Sequence, residues 1–437
     1  MNNKEILLQK IKENQEVVGI ISLGYVGLPL AVNFAEAGVK VIGFEKSKDK
    51  SDRINRGDNY IGDIRDAVLR EVVVDKLALE ATTDFTRMKE CDALIICVPT
   101  PLDKFRKPDM SYIESACVDI GKNMSAGTFI SLESTTYPTT TENFMLPIIE
   151  KESGLKHGED FWLAYSPERV DPGNKNFHTR NTPKVMGAMS KDGMEIGEAI
   201  YLKAIDKIHK VSSPRVAEMV KILENTYRLV NISLVNELAL LSGKMHINIW
   251  EVIEAAKTKP FGFQAFYPGP GIGGHCIPLD PFYLEHIAKK YDFELSMIHT
   301  AGSINMRMPH YMYIKIATAL NKNKLAVNGS KVLFLGVAYK PNINDERESP
   351  ALEIIDITTH KGGVVSYHDP HIPKIKTNAG RELKSVELSK ITLEGADIVV
   401  LTTNHSDFDI DFIKQHSKMI VDLRNMVKED SEKVYKL

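Results

Sequence analysis

The sequence predicts an α/β protein: two doubly wound parallel-sheet domains joined by a central helical segment with a long helix. Three observations carry that expectation. An apolar strand, a glycine-bearing turn, a helix, a second strand and an acid follow one another over 17–45. The same strand-and-turn pattern restarts at Lys331 after a helical middle. A chain of 437 residues is also too long for one ordinary core. The expected divisions are 1–210, 211–320 and 321–437.

The totals narrow the class. A net charge of -3 argues against a nucleic-acid or membrane-surface partner, so basic groups that hold an anionic ligand must be local. No apolar run approaches the ~18 residues of a membrane span. The N-terminal stretch, MNNKEILLQKIKENQE, is polar and charged and lacks the apolar centre of a signal peptide. Cys91, Cys97, Cys117 and Cys276 show neither metal-ligand spacing nor a disulfide framework. A reducing cytoplasm is the expected setting, with Cys276 kept as a thiol.

Each element has a local reason. Val17–Ile21 (VVGII) is apolar and β-branched, as a buried parallel strand requires. It runs into Ser22-Leu23-Gly24-Tyr25-Val26-Gly27, then a helical stretch over 28–37 closed by Gly38. A strand over Lys40–Phe44 ends in Glu45. This is the Rossmann-like dinucleotide plan, in which a pyrophosphate sits on the helix N-terminus. Gly24, Tyr25, Val26 and Gly27 are the expected cradle. Glu45 stands where an acid accepts from ribose hydroxyls and repels a 2′-phosphate, which favours NAD over NADP. Lys46, Lys48 and Lys50 lie close by and pull the other way, and Lys50 joins the candidate cofactor contacts. Ser22 occupies the position of the first fingerprint glycine.

Further strands are expected over 92–98, Thr128–Leu132 and Phe161–Tyr165. They lead into Pro99-Thr100-Pro101, Glu133-Ser134-Thr135-Thr136 and Ser166-Pro167-Glu168-Arg169. In an open parallel sheet, ligands bind at such carboxyl ends, so Thr100, Thr135 and Glu168 are expected at one crevice. Threonines and prolines also simply make turns. A long helix over 213–244 follows, with Val216, Met219, Val220, Leu223, Tyr227, Val230 and Leu234 at helical apolar spacing. Lys221, Asn225 and Arg228 share one face of it. That face is either solvated or the wall of a polar pocket whose groups donate to oxyanions.

The stretch 266–284, FYPGPGIGGHCIPLDPFYL, holds four glycines and four prolines around Cys276. Such a run is a loop whose backbone approaches something closely. After it, 291–321 is helical and connecting, and Lys331–Leu335 begins the second α/β domain. Its other strands are expected over 364–367, 397–402 and 419–422, with a helix from about Pro350. Lys340 and Arg347, near a strand end, have the character of anion holders.

Seven stretches, in order, resemble the nucleotide-sugar 6-dehydrogenases, the family that includes the UDP-glucose and GDP-mannose dehydrogenases. They are GYVGLPLA (24–31), CVPTP (97–101), ESTTYP (133–138), YSPERVDPGN (165–174), EMVKILENTYR (218–228), PGPGIGGHCIPLDP (268–281) and GVAYKPNINDERESP (336–350). Within the family, AAKTKPFGFQAFYPGPG (255–271) resembles the UDP-N-acetylglucosamine branch. The UDP-N-acetylmannosamine branch tends to carry His-Pro-Arg where this chain has Lys259-Pro260-Phe261. UDP-glucose and the N-acetylmannosamine, galacto and N-acetylgalacto sugars stay open as alternatives. A catalytically silent nucleotide-sugar-binding protein is the reading from another class.

The resemblance implies two successive NAD-dependent oxidations at C6 of the sugar, from alcohol through aldehyde to carboxylate. It assigns Cys276 as the nucleophile that forms a thiohemiacetal and then a thioester. Lys221 and Asn225 would hold the oxyanion, and Glu168, Thr135 and Asp280 would order or activate water. It carries the UDP-sugar onto Arg169, Val170, Lys221, Asn225, Arg228, Tyr267, Gly273, Tyr339 and Lys340. It carries the cofactor onto the Gly24–Gly27 turn, Glu45, Thr100, Thr135 and Arg347, with domain closure assembling the site. A homodimer or higher homo-oligomer, with no nucleic-acid or membrane partner, is expected. Thr139 stands where the family commonly has glycine.

Overall fold

Alternating apolar strands and amphipathic helices build two compact units in the computed structural model, which describes residues 1–437 except 63, 104–106, 172, 175, 275 and 430. The first unit comprises Met1–Glu224 and Phe282–Asp292; the second comprises Asn225–Pro281 and Phe293–Leu437.

The first unit holds β1 (Val17–Ile21), β2 (Lys40–Phe44), β3 (Leu79–Thr82), β4 (Ala93–Ile96), β5 (Thr128–Leu132), β6 (Phe161–Tyr165), β7 (Lys184–Ala188) and β8 (Ile208–Val211). They form one sheet in the order β3-β2-β1-β4-β5-β6-β7-β8. The six strands from β3 to β6 run parallel, and β7 turns antiparallel to β6. Every residue of β4, β5 and β6 is buried, because helices cover both faces and each face has its own apolar cluster. The helix Gly27–Glu36 crosses over from β1 to β2, and Gly38 takes the left-handed turn after it at φ +85°. The parallel run brings Ser22, Val98, Glu133 and Ser166 to the same edge of the sheet.

The second unit holds β9 (Lys331–Leu335), β10 (Val364–His368), β11 (Lys374–Lys376), β12 (Glu382–Lys384), β13 (Ile398–Leu401), β14 (Ile420–Asp422) and β15 (Val434–Lys436). Five of them form a parallel sheet ordered β10-β9-β13-β14-β15, while β11 and β12 pair as a separate antiparallel ribbon. The α/β class with two parallel sheets and a helical middle is therefore as the sequence implied. The sequence reading missed β3, β7, β8, β15 and the β11–β12 ribbon.

The long helix spans Pro214–Lys244, 31 residues, or about 46 Å at 1.5 Å per residue. Its faces hold a surprise for the sequence reading. Lys221 and Asn225 are buried at 8% and 4% exposure, while Val216, Met219, Leu223, Tyr227 and Leu234 are exposed. The exposed series continues through Leu238, Leu241 and Met245. Arg228 is exposed although it lies on the same side as Lys221 and Asn225.

Two non-glycine residues sit in left-handed backbone where the family pattern has glycine: Ser22 at φ 74° and Thr139 at φ 81°. Each costs on the order of 1 kcal/mol, so the surroundings must hold it. Glu218, fully buried on the long helix, accepts from the Thr139 amide (2.6 Å), the Thr141 amide (2.9 Å) and the Thr141 hydroxyl (2.8 Å). Burial pushes the Glu218 carboxyl up to about 7, and those hydrogen bonds offset it only in part. A raised carboxyl binds its proton more tightly in the folded chain. Its stabilising contribution is present below about pH 4.5 and is lost as pH rises through about 7. Thermal unfolding of Glu218→Gln should lack a pH-dependent loss worth at most ~3 kcal/mol between pH 5 and 8 that the parent shows. Parallel pH profiles for the two proteins would refute this.

Candidate active site

The turn after β1 is shaped for a close ligand. A Cβ on Gly27 would collide with the Ser22 carbonyl, so glycine is required there by the fold. A Cβ on Gly24 would meet nothing within 4 Å, so the fold itself does not demand that glycine. What a side chain at Gly24 would fill is the space a phosphate backbone needs. The helix Gly27–Glu36 has no side-chain cap at Val26; its Leu28 and Leu30 amides donate to the Gly24 and Val26 carbonyls and Pro29 has none, so an anion there would rely on the turn itself and on the positive end of the helix dipole. Tyr25 is exposed at the tip. Glu45 is buried and accepts from the amides of Leu23 (3.2 Å) and Ser47 (3.1 Å), so it braces the turn from behind. The Tyr60 hydroxyl donates to the Leu23 carbonyl at 2.6 Å, and Lys50 lies 5.9 Å above the Tyr60 ring. These residues fit a dinucleotide.

The other strand ends of the first unit carry more of the expected set. Thr100 is half-buried, and its carbonyl accepts from the Tyr283 hydroxyl. Thr135 is half-buried just past Glu133. Glu133 is fully buried and takes the Lys184 ammonium at 2.6 Å and the Tyr201 hydroxyl at 2.8 Å. Glu168 folds its carboxylate back onto the amides of Arg169 and Val170, each at 2.7 Å. Lys221 reaches the Glu168 carbonyl at 2.7 Å, so those two expected catalytic residues do meet. Arg169 is ion-paired with Glu224 through Nε at 3.0 Å and donates to the Pro183 carbonyl at 2.6 Å. Its charge is thus already neutralised within the chain.

In the second unit Cys276 is the exposed one of the four cysteines, and it forms no disulfide. Burial drives Cys91 up to about 12 and raises Cys97 and Cys117 as well, so those three are inert thiols. The Cys276 carbonyl accepts from the Asp280 amide at 2.9 Å. Asp280, 5% exposed at the start of the helix Asp280–Ala288, accepts from the Asn225 side-chain amide at 2.6 Å. Asn225, Asp280 and Cys276 thus form one connected group. Neighbouring His275 lies outside the described residues.

The glycines of this loop have a reason the sequence did not show. A Cβ on Gly273 would come within 2.6 Å of the Tyr339 Cβ, and Gly274, at φ +79°, lies against the Tyr339 ring. The Gly274 amide donates to the Arg347 carbonyl at 3.1 Å. The side chains of Asn236 and Asn305 accept from the amides of Gly269 (2.9 Å) and Ile272 (2.7 Å) and fix the loop's path. The close approach is therefore, in large part, to the chain's own 339–350 segment. Arg347 is paired bidentately with Asp345 at 2.8 and 2.6 Å. Tyr339 and Lys340 are half-buried beyond β9. Tyr267 donates to Glu254 at 2.7 Å and stacks on Trp250, away from the Asn225–Asp280–Cys276 group in hydrogen bonding.

Sequence reading missed Arg424. It follows β14, and its Nε donates to the Thr402 carbonyl at 2.9 Å. Its guanidinium lies where a Cβ on Gly269 would be. No carboxylate pairs with it among the described residues, and burial alone lowers it to about 10. The only signal in the sequence was an arginine just past a short strand, which is too common to single out.

Three family models match the chain in succession. They are the NAD binding domain (16–205), the central domain (215–307) and the UDP binding domain (333–429) of the UDP-glucose/GDP-mannose dehydrogenase family. A UDP-N-acetyl-D-glucosamine 6-dehydrogenase of Pseudomonas aeruginosa is 32% identical over 420 residues, 94% of this chain and 97% of the relative. A UDP-N-acetyl-D-mannosamine dehydrogenase of Pyrococcus horikoshii is 35% identical over 419 residues, 94% of this chain and 96% of the relative. A solved structure of the UDP-D-ManNAc dehydrogenase from Pyrococcus horikoshii matches with a TM-score of 0.88 at 33% identity, covering 96% and 98%. Placed beside the dinucleotide turn and the exposed cysteine, these matches show that the chain belongs to the UDP-glucose/GDP-mannose dehydrogenase family and is an NAD-dependent nucleotide-sugar dehydrogenase.

Proposed function

We propose that the protein carries out the four-electron oxidation of C6 of a UDP-N-acetylhexosamine, with UDP-N-acetylglucosamine to UDP-N-acetylglucosaminuronate as the first reading. The observation that carries the two-step chemistry is Cys276, exposed and tied through Asp280 to Asn225. NAD held at the Gly24–Gly27 turn would supply the hydride acceptor, one molecule for each of the two oxidations. After the alcohol has become an aldehyde, the Cys276 thiolate adds to it, and the adduct loses a second hydride to become a thioester. Water then cleaves the thioester, releasing the carboxylate and the thiol. Lys221 and Asn225 supply charge and a hydrogen bond to the oxyanion. Glu168, Thr135 and Asp280 order the water, and Glu168 has to leave its own backbone amides to do so.

The sugar is the finer part of the reading. Lys259-Pro260-Phe261 favours the gluco branch, and the Pseudomonas relative carries that name. The second reading, UDP-N-acetylmannosamine, is supported by the Pyrococcus relative and its structure. On the nucleotide side, Lys340, Tyr339 and Arg169 are proposed contacts, with Val170, Arg228, Tyr267 and Gly273, and Arg347 for the cofactor. Arg424 is added to them, because a half-buried guanidinium with no carboxylate against it among the described residues suits an anion. The same reading makes the protein a cytoplasmic homodimer or higher homo-oligomer. Its support is the exposed apolar series on the long helix, from Met219 through Leu241.

Four outcomes test this. Titration with each UDP-sugar should release two NADH per molecule of the true substrate; one NADH with free aldehyde would sink the thioester route, and turnover of UDP-glucose alone would reassign the sugar. Cys276→Ser should lose overall turnover by at least ~1000-fold with the melting curve intact, and undiminished acid formation would move the nucleophile elsewhere. Arg424→Met should weaken UDP binding by roughly tenfold or more with NAD binding unchanged, as loss of a charge-assisted contact demands. For the assembly, Leu234→Glu with Leu241→Glu should halve the mass seen by light scattering; an unchanged mass would put the interface on another face.

A further inference from the structure

We propose that Asp369 and His405 form a buried positioning clamp that presets the 336–342 turn, and with it Tyr339 and Lys340, for the nucleotide sugar. The inference rests on the reading above that this turn holds the nucleotide sugar. Asp369 follows β10 and His405 lies beyond β13; both side chains are fully shielded from solvent. One carboxylate oxygen of Asp369 accepts from the amides of Val337 (2.7 Å) and Ala338 (3.2 Å), the first residues after the Gly336 turn. The same oxygen meets His405 Nε2 at 3.0 Å. The other oxygen accepts from the amides of His371 (2.9 Å) and Ile372 (3.1 Å).

His405 closes the far end of the turn. Its Nδ1 accepts from the Asn342 amide at 3.0 Å, so Nδ1 carries no proton and Nε2 donates to Asp369. The Asn342 side chain, with its backbone at φ 61°, accepts in turn from Ser406 at 2.9 Å. The Thr403 hydroxyl donates to the Ala338 carbonyl at 2.6 Å, and Thr402 donates to Gly336. One acid and one imidazole thus hold residues 337, 338 and 342, and leave 339–341 as the arch between fixed ends. An arch fixed before binding loses less entropy when it meets its ligand.

The first unit offers a parallel that gives the arrangement meaning. There Glu45, also just past the second strand of its unit, accepts from the Leu23 amide in the turn after the first strand. Asp369 does the same for two amides, but it is also closed off by His405. An acid enclosed in this way has no oxygen left for a ribose, so its function is to hold the turn.

The test uses the full-length enzyme. His405→Phe keeps a ring and removes both hydrogen bonds, whereas His405→Asn returns an acceptor near the Nδ1 position for the Asn342 amide. His405→Phe should raise KM for the nucleotide sugar about tenfold, with kcat and KM for NAD within about twofold of the parent. His405→Asn should return that KM to within about threefold of the parent, and UDP affinity by calorimetry should follow the same order. Equal losses for both substrates, or an Asn variant no better than the Phe variant, would reduce the pair to packing. If His405→Phe does not fold, His405→Gln, which reaches Asp369 but not the Asn342 amide, replaces it against His405→Asn. Lys340→Ala separates the layers of the argument. If it leaves UDP binding intact, the reading of this turn fails; if it weakens UDP while the His405 variants do not, the clamp alone fails.

Discussion

The first unit depends on one buried ion pair. Lys184 opens β7 at the point where the sheet reverses direction, and Glu133 closes β5 two strands away. Their charged atoms lie 2.6 Å apart, with side-chain exposures of 5% and 0%. Burial pulls the Lys184 pKa down, but the neighbouring charges of Glu133 and Glu168 more than offset this and hold it above its usual value. The Tyr201 hydroxyl donates to the second oxygen of Glu133 and accepts from the Ser131 hydroxyl, so the acid is satisfied on both sides. A pair of this kind adds little net stability but penalises every arrangement in which one partner is left alone. It therefore fixes how the antiparallel β7 sits beside β5 and β6. Glu133 is two residues before Thr135, and the Lys184 ammonium also reaches the carbonyl of Pro167, next to Glu168. The two strand ends that carry the proposed water-ordering residues are thus tied to one buried charge.

That dependence also explains what the sequence did and did not reveal. β1, β2, β5, β6 and β9 were legible to the residue because parallel strands covered on both faces are runs of apolar residues between turn signals. β7 was not, because its first residue is a lysine whose burial only tertiary pairing permits. Its Gly187 is small for another tertiary reason: a Cβ there would strike the Ser213 backbone ahead of the long helix. The long helix was legible as a helix but not in its orientation. Periodicity reports that two faces differ; it does not report which one is buried. Here Lys221 and Asn225 take the interior while Leu223, Leu234, Leu238 and Leu241 take the surface. The candidate site was proposed as a set of residues, chiefly through the seven motifs, and of these residues the structure pairs Lys221 with Glu168 and Asn225 with Asp280. Its internal commitments were not legible, since the partners of Arg169, Glu168 and Arg347 come from folding.

Those commitments sort the basic residues by availability. Arg169 and Arg347 each face a carboxylate within the chain, so a ligand phosphate has to compete with Glu224 or Asp345 for them. Arg424 has no such competitor among the described residues; it is half-buried, and burial lowers its pKa to about 10. Part of its desolvation cost is met during folding, so an anion bound there would gain more of the interaction. A chain with a net charge of -3 has no general attraction for nucleotides, and this local arrangement supplies what the global charge does not.

The acids past the second strands make the same point from the other sign. In a dinucleotide fold that position faces a ribose, and in the first unit Glu45 is 8% exposed, at the edge of reach. In the second unit Asp369 is bound by four amides and an imidazole. One architecture thus appears twice with one change of wiring. In the first copy Glu45 takes only the Leu23 amide of the turn, and nothing fills the space beside Gly24, which suits a pyrophosphate. In the second copy a buried carboxylate already occupies the amides of the turn, so a second anion cannot bind there. On the proposed reading, the nucleotide of the sugar is then met by side chains instead, Lys340 on the arch and Arg424 beyond β14 among them. Division of labour between two similar sheets follows from where one carboxylate is spent.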